Sequence, residues 1–405
     1  MKNPAHTIMQ RADVLAAISA TPGQVTRTYL SPEHRLANDQ LAAWMQQAGL
    51  ETWQDSVGNQ WGRKVSAQPT KPTLILGSHS DTVINAGKYD GNLGVLLAIE
   101  TLAALAEESF PFHIDVVAFA DEEGTRFNTT LIGSSAVAGD FDDRWLAIED
   151  AAGISMRQAM QDFGLVPEQA GDDARSADSV QAYLEAHIEQ GPVLENEDRA
   201  VGVVTAIAGA KRYQCSIEGM AGHAGTVPID LRQDALCGAG EVINCIENFA
   251  QQQNIVATVG KCEVTNGAVN VIPAQVDFTI DIRSESQQQL EDCCQQMLQQ
   301  IDAICTRRKL AFMHQTIYQA DAAQCAPALQ QRWARAIENV TKQPARLLAS
   351  GAGHDGLAIS KLTDIGMLFI RCEKGISHHP AEQVQSSDVD IALKCFIEMV
   401  RSFNA

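Results

Sequence analysis

Continuous apolar runs stand out first along this chain. Thr73-Leu-Ile-Leu76 and His113-Ile-Asp-Val-Val-Ala-Phe-Ala120 are short and bounded by polar residues, and a longer apolar stretch at 93–107 lies between them. Runs of four to eight residues suit buried strands, and the longer one suits a buried helix. The strand–helix–strand rhythm predicts an α/β sheet with helices on both faces. Upstream, residues 8–50 hold two helix-like stretches. Ser31-Pro-Glu-His34 reads as a capped start, followed by apolar Leu36, Leu41, Ala42 and Met45. Residues 140–180 are polar and helical or loop-like, with an acidic connector at Gly171-Asp-Asp-Ala-Arg-Ser176.

Near residue 209 the periodicity changes. Arg212–Glu218, Ala257–Val264 and Val276–Ile282 alternate apolar and polar positions, as half-buried strands do, with helical patterns at 230–252 and 286–307. That order predicts a small α+β unit inserted into the first domain. From Leu347 onward strand-plus-helix chemistry returns, with Met367-Leu-Phe-Ile-Arg371. The expected division is therefore 1–208 with 328–405, and an insert over 209–327. No internal repeat or low-complexity tract breaks the pattern.

Composition narrows the classes. The 405 residues exceed one ordinary core, and 45% hydrophobic with 20% charged residues is a globular balance. A formal net charge of −20 argues against nucleic-acid and anionic-membrane partners, although a local arginine cluster could still hold an anionic small molecule. The opening MKNPAHTIMQRADVL lacks the apolar core of a signal peptide, and the most apolar segments are too short to span a membrane. Ten cysteines lie between Cys215 and Cys395 without a CxxC pair, so reduced structural thiols in a cytoplasmic protein are expected.

Candidate chemistry sits in four segments. The first, GSHSDTVINAGKYDGNLG over 77–94, is open to three readings: a solvated turn, a single metal site, or half of a larger one. Asp81 follows His79 by two residues, so both point to one face of an extended chain, and Asp81 can hold the second ring nitrogen. Asp90 comes back after a glycine-containing loop. The second, ADEEGTRF over 120–127, follows a strand, where open α/β sheets place their sites. Its consecutive acids repel one another unless a cation neutralises them. The third, LEAHIEQG, sets His187 among apolar neighbours, and the fourth, GISHHPAE, offers His378 and His379. Each alone also reads as a solvated loop or a structural histidine. Together His79, Asp90, Glu123, His187 and His378 form the inventory of a two-metal hydrolase, and mixed imidazole and carboxylate donors suit Zn2+ or Mn2+.

In order along nearly the whole chain, GSHSDTV, YDGNLG, ADEEGTRF, EAHIEQG, AGHAGTVP, VNVIP, TIDIRS, SGAGHD and GISHHPAE resemble one known group. It is the metal-dependent amidohydrolases of the carboxypeptidase–aminoacylase superfamily, in the branch containing allantoate amidohydrolase, ureidoglycolate amidohydrolase and N-carbamoyl-L-amino acid hydrolase. The resemblance implies a mixed-sheet α/β domain with a dinuclear metal site, carrying an inserted α+β dimerisation or lid domain. It implies two divalent ions per subunit, Mn2+ or Zn2+, with His79 and His187 on one, Glu123 and His378 on the other, and Asp90 bridging. His378 is preferred over His379 by register. Asp81 would orient His79, and Glu122 would be the general base. His223 would reach across a homodimer to the tetrahedral oxyanion. Arg212, Asn270 and Arg283 would bind the substrate carboxylate and ureido group, with Gln190 and His354 in the pocket and Asp355 orienting His354.

The expected reaction is hydrolysis of the ureido group of allantoate to ureidoglycine, ammonia and CO2. N-carbamoyl-L-amino acids and β-ureidopropionate present the same groups and are the alternatives. More remote are a peptidase or deacylase of the wider superfamily, and a non-catalytic homologue. The last is opposed by the presence of Glu122 and all five candidate ligands. A serine hydrolase fits poorly, because Gly133-Ser-Ser-Ala136 lacks a GxSxG elbow.

Overall fold

The apolar runs form the middle of a mixed sheet. In the computed structural model, which describes residues 4–404, Thr73–His79 and Ile114–Phe119 are strands buried along their whole length. They pair in parallel, and Val180–Ile188 and then Ile365–Ile370 continue the parallel block. Antiparallel strands flank it: Gln60–Lys64 and Glu51–Gln54 beyond Ile114–Phe119, and Val201–Ile207 beyond Ile365–Ile370. Parallel neighbours need a crossover, and the helix Asn92–Ala104 supplies the one after Thr73–His79. That helix is buried at nearly every position, so its Leu93, Leu96 and Leu97 join Ile8, Leu41, Leu76 and Phe396 in one core.

The helix Pro32–Gln47 starts on Ser31, whose hydroxyl accepts the His34 N–H at 3.1 Å. Its buried stripe is His34, Ala37, Asn38, Leu41, Trp44 and Met45. Leu36, expected on that stripe, is 56% exposed. Five residues separate it from Leu41, which turns it about 140° away on a helix of 3.6 residues per turn.

The chain divides into two compact units: residues to Thr205 with those from Gln324 onward, and Ala206–Ala323. The change of unit thus falls a few residues before each of the expected borders. Within the first unit the two ends of the interruption are adjacent, since the Cys325 N–H donates to the Thr205 carbonyl at 2.9 Å.

The second unit is built on Gly209–Glu218, flanked antiparallel by Gln275–Ser284 and Ala311–Ala320. Gln275–Ser284 alternates strictly, burying Val276, Phe278, Ile280 and Ile282 in a core shared with helices Ala235–Gln253 and Gln287–Arg307. The strand expected over 257–264 is two pieces, Val256–Thr258 and Cys262–Thr265, both paired with Gln275–Ser284. The first of the two helices begins at Ala235, later than expected, where the Asp234 carboxylate caps the Cys237 N–H. All ten cysteines are unbonded. Among the described residues no helix is long and apolar enough to cross a membrane.

One close approach joins this fold to the region of interest. A side chain at Gly94 would overlap the Ala186 carbonyl oxygen of the adjacent strand. Gly94→Ala must therefore lift the helix off the strand beside His187. Overpacking of this kind costs ~1–3 kcal/mol. The expected outcome is a lowered urea midpoint with an unchanged slope, and a wild-type midpoint would show that the helix yields freely.

Candidate metal centre

Four chain segments meet where the parallel strands end: the tip of Thr73–His79, the turn after Ile114–Phe119, the end of Val180–Ile188, and the turn after Ile365–Ile370. Asp90 lies at their centre. Its Oδ1 is 3.4 Å from His79 Nε2 and 3.1 Å from His187 Nε2, and those two nitrogens are 3.4 Å apart. Its Oδ2 is 3.3 Å from His378 Nε2, which in turn is 3.4 Å from Glu123 Oε1. One carboxylate thus serves two clusters, His79–Asp90–His187 and Asp90–Glu123–His378. These separations match the edges of a coordination tetrahedron, which measure about 3.3 Å when the bonds are ~2.05 Å. The donor set fits a divalent cation in both halves.

Tautomers are set by the backbone. His79 Nδ1 lies 3.1 Å from the Asp81 carbonyl and 3.5 Å from its carboxylate, and His187 Nδ1 lies 2.9 Å from the Ile188 carbonyl. A ring nitrogen facing a carbonyl carries the proton, which leaves Nε2 of each ring as a lone-pair donor toward the cluster. The Gly91 N–H donates to His187 Nε2 at 3.2 Å, in agreement with that tautomer. Gly91 itself has φ 63°, and a Cβ there would strike the His79 ring. The Asp81 carboxylate also accepts the backbone N–H groups of Glu122 and Glu123 at 3.0 and 3.1 Å. One side chain therefore orients both His79 and the acidic turn.

The field here is strongly negative. Burial pushes the Glu122 carboxyl well above its ordinary value, with His79 opposing the shift and Glu123 reinforcing it. Burial, helped by Asp90, pushes Glu123 up to about 7. At Asp90 burial acts in the same direction, but His187, His378 and His79 outweigh it and hold the carboxyl well below the usual range. His378 is pushed up to about 9 by Asp90, against burial. Such mutual demands for positive charge are what a bound cation answers.

The remaining expected residues fall into distinct places. Gln190 Nε2 donates to Asp90 Oδ2 at 2.8 Å and lies 3.4 Å from His378 Nε2. His354 is buried, with Nε2 2.7 Å from Ser350 Oγ and its ring edge-on to His187 at 4.4 Å between centroids. Asp355 is buried beside it, and neither of its oxygens hydrogen-bonds the His354 ring. His379 is exposed, and its Nδ1 accepts the Ala381 N–H at 3.1 Å. In the second unit Arg212 and Arg283 come together on Asp281, whose carboxylate accepts Arg212 Nε at 2.8 Å and Arg283 Nε at 2.9 Å. His223 and Asn270 meet separately, on the ribbon formed by Gly222–His223 and Val271–Ile272; the Ala224 N–H donates to the Asn270 carbonyl at 3.0 Å.

Three residues passed over in the sequence belong to this account. Glu382 is buried and accepts the Tyr89 and Asp90 N–H groups at 2.7 and 3.1 Å. Ser377 Oγ bonds Asp90 Oδ2 and lies 3.2 Å from Glu382 Oε2. Asp281, two residues before Arg283 on one strand, shares its face and was legible from that spacing.

Residues 75–402 match the peptidase family M20/M25/M40. Allantoate deiminase of Arabidopsis thaliana is 36% identical over 425 residues, spanning 97% of this chain and 81% of its own. The N-carbamoyl-L-amino acid amidohydrolase of Geobacillus stearothermophilus is 36% identical over 397 residues, spanning 97% of both chains. Among solved structures, a hydantoinase/carbamoylase-family amidase from Burkholderia multivorans superposes with a TM-score of 0.91 at 29% identity, covering 99% of this chain and 98% of that one.

Asp81 gives the sharpest test of this geometry, since it touches His79 and the acidic turn without belonging to either cluster. Asp81→Ala is expected to weaken Zn2+ binding about 10–100-fold, the usual effect of removing a partner behind a ligand. Competition titration against a chelating dye measures it, and an unchanged affinity would mean the clusters hold their shape without Asp81.

Proposed function

The chain belongs to the peptidase family M20/M25/M40, and on that premise we propose that it hydrolyses the ureido group of allantoate, giving ureidoglycine, ammonia and CO2. It is a hydrolase of carbon–nitrogen bonds outside peptides, in a metal-dependent family. The observation that carries the reading is the division of the two Asp90 oxygens between two imidazole–carboxylate clusters, with Glu122 beside them. We assign two divalent ions, Mn2+ or Zn2+, to those clusters. Once bound they would supply Lewis acidity at the carbamoyl oxygen and acidify the attacking water.

The protein's own groups do the rest. Glu122 takes the proton of the water as it adds to the carbamoyl carbon, and returns it to the departing nitrogen. Burial raises its carboxyl well above the ordinary value, which makes it a stronger proton acceptor than an exposed glutamate. His223 Nδ1 accepts the Gly225 N–H at 3.1 Å, so Nε2 carries the ring proton and can donate to a developing oxyanion. We assign that donation to the neighbouring copy in a homodimer. Arg212 and Arg283 are preset by their shared Asp281, and Arg212 also lies over the Tyr318 ring at 4.5 Å. A guanidinium held this way suits a carboxylate, and Asn270 suits the ureido group. Gln190 and His354 support the ligands Asp90, His378 and His187 that they touch. Ten unbonded cysteines agree with a cytoplasmic setting.

N-carbamoyl-L-amino acids are the second reading, favoured by the bacterial relative that matches end to end. Ammonia release from allantoate and from N-carbamoyl-L-amino acids, measured after chelation and return of Mn2+, separates the two. Allantoate is expected to show the larger kcat/KM; the reverse order would transfer the assignment, and faster dipeptide cleavage would end both. Glu122→Gln is expected to lower kcat about 10²–10⁴-fold while metal content stays at the wild-type level. Retained turnover in that variant would remove Glu122 as the base.

A further inference from the structure

Among the described residues, eleven Asp and Glu side chains are buried, against a single buried Arg or Lys. That cation is Arg27, 1% exposed, in the segment after helix Pro4–Ala17. Its Nε donates to the Ser80 carbonyl at 2.8 Å, and its Nη2 donates to Asn92 Oδ1 at 2.7 Å. Its Nη1 is anchored on the Leu15 and Ile18 carbonyls at 2.8 and 3.1 Å. The backbone of the same residue pairs with Thr82: the Arg27 N–H donates to Thr82 Oγ1 at 2.9 Å, and the Thr82 N–H donates to the Arg27 carbonyl at 2.9 Å. Asn92 passes the contact on, its Nδ2 donating to the Asp90 carbonyl at 3.1 Å.

These bonds have one topological meaning. Ser80 directly follows His79, and Asn92 holds the carbonyl of Asp90, so one guanidinium grips both ends of the segment that carries His79, Asp81 and Asp90. We propose that Arg27 is a positioning residue of the candidate metal centre, fixing His79 and Asp90 at the separation one cation requires. The inference rests on the metal reading above. It assigns Arg27 no contact with substrate. Lysine could keep the charge but not the task, because the acceptors diverge around a planar fork that an ammonium group does not have. Burial lowers Arg27 to about 10, with Asp81 opposing the shift, so it remains a cation near neutral pH.

The test uses the full-length protein, stripped by chelation and titrated with Co2+ alone, whose visible absorption reports coordination geometry as well as affinity. Wild type, Arg27→Met, Arg27→Lys and Asn92→Ala are compared, and circular dichroism checks folding of each stripped form. Arg27→Met is expected to weaken Co2+ binding about tenfold or more and to alter the band shape. Arg27→Lys is expected to recover only part of that loss. Asn92→Ala, with Arg27 intact, should shift both readouts in the same direction by a smaller factor. A folded Arg27→Met with wild-type affinity and spectrum would overturn the proposal. If Arg27→Met does not fold, Asn92→Ala decides, and its wild-type behaviour would overturn it equally. If wild type itself takes up no Co2+, the metal reading falls and the positioning role falls with it.

Discussion

Asp90 is an ionised carboxylate almost wholly shielded from water, a state that costs several kcal/mol unless positive charge and hydrogen-bond donors surround it. Much of the first unit can be understood as meeting that requirement. Gln190 and Ser377 donate to its Oδ2, and the Nε2 lone pairs of His79 and His187 face it together with His378, an arrangement that a cation among them would complete. Each histidine arrives from the end of a different strand or from the turn beyond it. Strands running in parallel bring those ends level along one edge of the sheet; an antiparallel arrangement would send alternate ends to opposite edges. Gly91 follows from the same demand, because the chain must turn directly beneath the His79 ring to bring Asp90 back.

The two halves of the cluster are embedded differently. His79 and His187 are buried at the ends of strands, with their outer nitrogens held by backbone carbonyls. His378 sits on a turn at φ 55° with its side chain about half exposed, and Gln190 and Ser377 supply the support that a strand would otherwise give. Rigidity on one side and a turn on the other make the second half the one whose geometry depends on polar neighbours.

What could be read from the sequence follows from how local each signal is. Thr73–His79 and Ile114–Phe119 were legible because burial on both faces leaves a continuous apolar run. Val180–Ile188 gives no strand signal of this kind, since it buries Glu185 and His187 where apolar residues would have declared it. Ala311–Ala320 was missed for the opposite reason: as the outer strand of its sheet it exposes most of its length and carries no periodic apolar signal. The candidate ligands were readable because imidazoles and carboxylates at strand ends are chemically conspicuous. Arg27, Asn92 and Glu382 were not, because they act through backbone carbonyls and N–H groups, those of Arg27 and Glu382 remote in sequence. A residue that recognises main chain leaves no partner type to look for.

The hydrogen bond between Thr205 and Cys325 carries a consequence for how the molecule is assembled. To the first unit, the intervening roughly 120 residues are a single loop whose ends must be brought within bonding distance. Left as flexible chain, a loop of that length would charge the sheet about 4 kcal/mol in closure entropy before any length-independent term. Folded on its own core, the same segment presents two fixed ends, and most of that penalty is already absorbed. The inserted unit is then a closure device for its host, and the sheet that carries the candidate ligands gains stability from a core it does not share.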